Sequence, residues 1–216
     1  VHYAIPHAYA AYMAKKMLKE KGINIRVVTT LHGTDITLVG SHPTYKSAVE
    51  FSINNSDVVT AVSNNLKQTT KRLFRIKKDI QVVYNFIDVE KYAVAQESEC
   101  KRIAVAKPNE RILTHISNFR PVKRVEDVIK IFHEVHREIP SKLLMIGEGP
   151  ERMKAEKLAH KLKISEDVIF LGNSNEVAKI LCYSDVFLLP SETESFGLAA
   201  LEAMAAKTPV ISTNTG

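Results

Sequence analysis

A chain of 216 residues that is 45% hydrophobic, with 8 Gly and 8 Pro, is globular and long enough for one large or two modest domains, which excludes a disordered or fibrous protein. The net charge of +6 and sequence pI of about 9.2 invite a nucleic-acid partner. The lysines and arginines fall on helix faces mixed with glutamates, without aromatic interleaving or helix-turn-helix spacing, so nucleic acid is set aside; nor does any window approach the roughly 20 apolar residues of a membrane span.

The chain opens on Val1-His-Tyr-Ala-Ile-Pro-His without an initiator Met and stops in a loop at Gly216, so an internal fragment is expected. Helical patterns cover 7–21, 44–55 and 64–74, separated by short apolar runs at 27–31, 57–62 and 80–84 that read as buried parallel strands. After the first strand, Thr29-Thr-Leu-His-Gly-Thr-Asp35 is expected to set an imidazole and a carboxylate, His32 and Asp35, over a cleft.

The charged, weakly periodic stretch 95–109 reads as a linker between two domains, 1–94 and 110–216. It carries Cys100, far in sequence from Cys182; with no Cys-x-x-Cys pair, a reduced cytoplasm fits. Beyond it, strands at 112–116, 143–147, 168–171 and 186–189 alternate with helices at 125–139, 151–162 and 176–183, and a last helix covers 198–207. The alternation predicts α/β architecture: two Rossmann-like domains with parallel sheets facing a cleft, both incomplete, with ligands at the carboxyl ends of the strands.

The chemistry concentrates in the loops after those strands. In Leu189-Pro-Ser-Glu-Thr-Glu-Ser-Phe-Gly-Leu-Ala-Ala-Leu-Glu202 two carboxylates, Glu194 and Glu202, stand astride a strand-to-helix turn. Ser195 is expected to cap the helix and Gly197 to let backbone approach a ligand, so that the N–H groups of Ser195, Phe196, Gly197 and Leu198 face a diphosphate. Glu194 would reach a sugar hydroxyl and Glu202 the ribose. The loop Ser117-Asn-Phe-Arg-Pro-Val-Lys-Arg124 crowds three cations, of which Arg120 and Lys123 can neutralise a leaving pyrophosphate. Gly147-Glu-Gly149 lacks the third glycine of a dinucleotide fingerprint, which argues against NAD. No Asp-x-Asp occurs, so no obligatory divalent metal or other cofactor is expected.

Ser195-Phe-Gly197 at the turn and Pro209-Val-Ile-Ser-Thr213 after the helix resemble the donor-site signature of the GT-B retaining glycosyltransferases, family 4. The resemblance implies a UDP-sugar donor and front-face transfer, in which the leaving phosphate takes the acceptor proton. It implies that Asn118 and Gly147 sit at the donor, with Asn173 peripheral, and that His32 lies near the reacting sugar. Where the family carries an Arg five positions before the loop Lys, this chain has Asn118, which makes Arg120 a shifted substitute. Val1-His-Tyr-Ala-Ile-Pro-His, Thr30-Leu-His-Gly-Thr-Asp-Ile-Thr37 and Val83-Tyr-Asn-Phe-Ile-Asp88 further resemble a subgroup that moves N-acetylglucosamine from UDP-N-acetylglucosamine to L-malate in bacillithiol biosynthesis. Tyr3, Thr30 and Asn85 then stand at acceptor positions. A cytoplasmic enzyme is implied, with a second copy of the chain among its candidate partners. Another acceptor, a nucleotide-sugar epimerase and a non-catalytic sugar-nucleotide module stay open as alternatives.

Overall fold

The computed structural model describes residues 1–40, 42–92 and 102–215. The chain divides into two compact units, Val1–Phe86 and Ile87–Thr215. Residues 95–101 of the linker expected over 95–109, Cys100 among them, lie outside the described residues, and 102–109 belong to the second unit.

The first unit is a three-stranded parallel sheet in the order β1 (Val28–Leu31), β2 (Val58–Ala61), β3 (Ile80–Val82). A wide turn, Ala4–Ala8, leads into α1 (Tyr9–Glu20), so the helix expected from residue 7 starts at Tyr9. A single turn α2 (Thr34–Thr37) follows β1, and α3 (Pro43–Asn55) and α4 (Asn64–Leu73) complete the unit. Their starts have local causes. Pro43 takes the first position of α3, where its missing N–H costs nothing, and Ser63 Oγ accepts from Leu66 N (3.1 Å) at the head of α4. The free edge of β1 is lined by the amino-terminal residues, with Thr30 N donating to Val1 O (2.9 Å) and Tyr3 N to Thr30 O (2.8 Å).

The second unit is a five-stranded, all-parallel sheet of β4 (Arg111–Ile116), β5 (Ser141–Ile146), β6 (Val168–Gly172), β7 (Val186–Leu189) and β8 (Val210–Ser212), in the order β6-β5-β4-β7-β8. Its helices are α5 (Val125–Glu138), α6 (Arg152–Lys161), α7 (Val177–Cys182) and α8 (Leu198–Ala205). In α5, Val125, Val128, Ile129 and Phe132 recur at helical spacing and bury one stripe. Leu143 and Met145 of β5 point to that stripe, whereas Leu144 and Ile146 point to the opposite face, beside Ile180 of α7. Along β7, Leu188 joins the first core, and Phe187 and Leu189 pack with Leu181 of α7, Ala203 of α8 and Ala206 just after it. Helices thus cover both faces, as a doubly wound sheet requires. Burying a side chain such as Phe132 contributes on the order of 2–3 kcal/mol.

Asp185 fixes the entry to β7. Its carboxylate accepts from Ile112 N (2.7 Å), Arg102 (2.9 Å) and Arg111 (3.1 Å), which holds its pKa below the usual carboxylate value against the opposing effect of burial. The loop Pro209-Val-Ile-Ser, read only as part of a motif, forms the edge strand β8, pairing Phe187 with Val210.

Candidate active site

The chain runs outward from β4 through β5 to β6, then returns to the other side of β4 as β7. The loops after β4 and β7 therefore leave the sheet at its topological switch point, where parallel sheets bind ligands. Lys123, on the turn Pro121–Lys123, places Nζ 2.6 Å from Glu194 Oε1, each side chain about one fifth exposed. Glu192 N donates to Val122 O (2.8 Å) and ties the same loops by backbone. Arg120 is exposed beside them, with no ion pair among the described residues.

The loop after β4 is held from below by His115, which is wholly buried. Its Nδ1 meets Leu188 O (2.9 Å) and its Nε2 meets Ser117 Oγ (2.8 Å), so the ring joins β4, β7 and the loop. Burial pushes its pKa down to about 4, with Lys123 adding to that effect and the Leu188 carbonyl and Glu194 opposing it. Nothing in the strand pattern marks this histidine as different from an apolar residue. Its position two residues before a polar loop is the one signal that could have found it.

Gly147 and Gly149 stand where two backbone segments meet closely. A Cβ at Gly147 would overlap the Ser117 carbonyl oxygen, and one at Gly149 the Asn118 carbonyl oxygen. The glycines let the strand ends after β4 and β5 touch backbone to backbone. Gly147, at φ 119°, also adopts a conformation open mainly to glycine. Asn118 is exposed above this contact, and Asn173 is exposed just beyond β6.

At the head of α8 the cap is Gly197 in the left-handed conformation (φ 84°), with no side-chain bond, which corrects the expectation that Ser195 caps the helix. A left-handed cap residue lets the chain turn sharply from the β7 loop into the helix, and Ser195 and Phe196 lie before that turn. The first N–H groups of α8, beginning with Leu198, stay unmatched within the helix and carry its positive end. Glu202 lies one turn further along. Its carboxylate faces the hydroxyl of Tyr92, a residue 5% exposed that packs with Ala203 and Ala206. Tyr92 was not anticipated from the sequence.

In the first unit, His32 follows β1 and is half-buried. Burial, and then the neighbouring His2, lower its pKa below the usual histidine value, with Asp35 acting in the opposite sense. Asp35 does not face a ligand: 3% exposed, it accepts from Ala4 N (2.8 Å), Gly33 N (3.0 Å) and His32 N (3.3 Å) and so clamps the turn. Tyr3, at φ 70°, sets its ring 4.9 Å from that of His32. The Thr30 hydroxyl accepts from Thr60 Oγ1 (2.9 Å). Asn85 lies beyond β3 and is therefore set apart from Tyr3 and Thr30 by the width of β2. Among the described residues no cluster of three or more His, Cys, Asp or Glu is placed to hold a metal ion, and no helix is long and apolar enough to cross a membrane.

Two parallel α/β units, the second joining a cationic and an acidic loop at its switch point, have the architecture of the GT-B class. Residues 97–216 match the family described as Glycosyl transferases group 1, and residues 1–91 match Glycosyltransferase Family 4; the chain belongs to this glycosyltransferase family. It is 50% identical to N-acetyl-alpha-D-glucosaminyl L-malate synthase of Bacillus anthracis, over all of this chain and 56% of that protein. It is 29% identical to the uncharacterized glycosyltransferase MJ1607 of Methanocaldococcus jannaschii, over 88% of this chain and 52% of that one. The chain thus spans about half the length of these curated relatives. Among solved structures, Anabaena HepE in complex with UDP superposes with a TM-score of 0.77 at 20% identity, covering 97% of this chain and 57% of that one. Sucrose-phosphate synthase from Thermosynechococcus elongatus does so with a TM-score of 0.78 at 20% identity, over 100% and 55%.

Proposed function

We propose that the protein transfers N-acetylglucosamine from UDP-N-acetylglucosamine to the hydroxyl of L-malate with retention of configuration. The reading is carried by the Lys123–Glu194 pair at the switch point of the second unit, directly before the positive end of α8. The donor and acceptor are taken from the 50% identity to the malate synthase of Bacillus anthracis.

In this reading the diphosphate lies against the head of α8, where N–H groups and the helix dipole favour an anion, and Lys123 and Arg120 add full positive charges. Glu202 accepts from the ribose hydroxyls and Glu194 from a sugar hydroxyl. As the bond between the sugar C1 and the phosphate oxygen breaks, charge grows on the diphosphate, which is where the cations are worth most. The malate hydroxyl attacks C1 from the face that the phosphate leaves, and a phosphate oxygen takes the hydroxyl proton. UDP departs, and the new C1–O bond keeps the α configuration. His32, whose pKa burial holds below the usual histidine value, polarises or positions rather than acting as a strong base, and Tyr3, Thr30 and Asn85 contribute hydroxyl and amide groups toward the acceptor. A cytoplasmic site of action belongs to the same proposal.

The test incubates the full-length protein with UDP-N-acetylglucosamine, with and without L-malate, and follows UDP release and adduct mass. Malate-dependent formation of an α-linked adduct is expected. UDP release only with other acceptors would overturn malate and keep a transferase; binding without turnover under any acceptor would overturn the enzyme.

A further inference from the structure

At the carboxyl end of β1, Nδ1 of His2 lies 2.7 Å from Nε2 of His32, with the rings 4.9 Å apart. We propose that His2 is a positioning residue for His32: it holds the imidazole by Nε2, fixes its tautomer, and leaves Nδ1 as the nitrogen that His32 presents to substrate. The inference rests on the reading of His32 given above, in which this ring lies beside the reacting sugar.

Both partners are anchored. His2 is bridged to Thr30 in parallel register, between the bonds that Val1 and Tyr3 make to Thr30, so its Cα cannot slide along the strand. Its carbonyl meets Nδ1 of His7 (2.8 Å). A carbonyl only accepts, so His7 carries its proton on Nδ1. On the other side, the backbone of His32 and Gly33 hangs from Asp35, whose second oxygen accepts from Ala4 N. One buried carboxylate therefore sets the separation of the two segments that bear the rings. Tyr3, held at a positive φ uncommon for tyrosine, covers the His32 ring from another side.

The chemistry follows from the donor inventory. Ring nitrogens of two imidazoles at this distance share a single N–H, one nitrogen donating and the other accepting. A neutral histidine carries one proton on its two nitrogens, so whichever role His2 imposes on Nε2 dictates the state of Nδ1. Without His2, the two tautomers of His32 would interconvert and part of the population would present the wrong one. His2 is exposed, so its loss should not disturb the core.

The experiment compares His2→Ala, His2→Gln and His32→Ala in the full-length protein, by initial rates over donor and malate concentrations and by imidazole 15N resonances of His32. His2→Ala is expected to lower kcat by roughly tenfold, within the range of a positioned acid–base group, while KM for UDP-N-acetylglucosamine stays within about twofold. His2→Gln, whose amide can both donate and accept, should recover most of the loss. The His32 resonances should report one tautomer in the native protein and two in His2→Ala. Native kcat and a single tautomer in His2→Ala, with His32→Ala inactive, would overturn the positioning role and leave His32 in place. A fully active His32→Ala would instead remove the reading of His32 on which the inference rests.

Discussion

Lys123 Nζ and Glu194 Oε1 stand 2.6 Å apart, an ion pair that joins the loop after β4 to the loop after β7 across the switch point of the second unit. Both side chains are only about one fifth exposed, so solvent screens the pair less than it would a surface contact. Lys123 is close enough to a carboxylate to be held in place, yet its remaining ammonium protons can still reach an anion. Replacing it with Ala leaves Glu194 without its partner and removes charge from the proposed diphosphate site. Lys123→Ala should lower kcat/KM by about 100-fold or more, measured as UDP release, while circular dichroism stays native.

His115 ties stability to pH. Burial lowers its pKa from the ordinary histidine value of 6.5 to about 4, so in the native state it stays neutral where the unfolded chain already binds a proton. Its contribution is therefore complete above about pH 6.5, declines as pH falls from there to about 4, and is flat below. One pKa unit corresponds to about 1.4 kcal/mol, so the decline amounts to about 3 kcal/mol. Urea midpoints at pH 7, 5.5 and 4.5 should trace it, and His115→Gln should be less stable at pH 7 but lose much of the slope. A native-like slope in His115→Gln would assign the pH dependence to other groups.

The strand and helix rhythm was legible because buried parallel strands are short continuous apolar runs and α5 carries a clear helical stripe. Family membership was legible from Ser195-Phe-Gly197 and its neighbours. What escaped were relationships between distant segments. His115 sits in an apolar run, and its role comes from Leu188, which is far along the chain. The three-residue strand β8 is too short for a period to emerge, and it becomes a strand through pairing with β7. Ser195 has the right chemistry for a cap, but the bend at Gly197 places the helix start beyond it. Asp35 looked like a site carboxylate because its backbone partners, including Ala4, cannot be read from local pattern.

Gly147 makes a sharp stability test. Its φ of 119° strains any other residue, and an added Cβ would meet the Ser117 carbonyl, backbone that cannot swing aside. Gly147→Ala should destabilise the protein by at least about 2 kcal/mol. Because Ser117 opens the loop bearing Lys123, UDP affinity should fall as well. Chemical denaturation and UDP titration together check the pair of effects; an unchanged denaturation midpoint would contradict the contact.

Tyr92 brings an otherwise buried hydroxyl up to Glu202. Its pKa is pushed up to about 12, first by burial and then by the Glu202 carboxylate, so it remains a protonated donor across the working pH range. A carboxylate that receives this hydroxyl is steered in direction, which suits a residue proposed to accept from both hydroxyls of a ribose. Tyr92→Phe keeps the ring packed against Ala203 and Ala206 and deletes only the oxygen. Losing one hydrogen bond to a charged group costs about 1.5 kcal/mol, so KM for UDP-N-acetylglucosamine should rise by roughly tenfold with kcat within about twofold. The same substitution should have little effect on a 2′-deoxyuridine donor, which offers Glu202 less to hold. An equal loss for both donors would point to altered packing rather than to steering of Glu202.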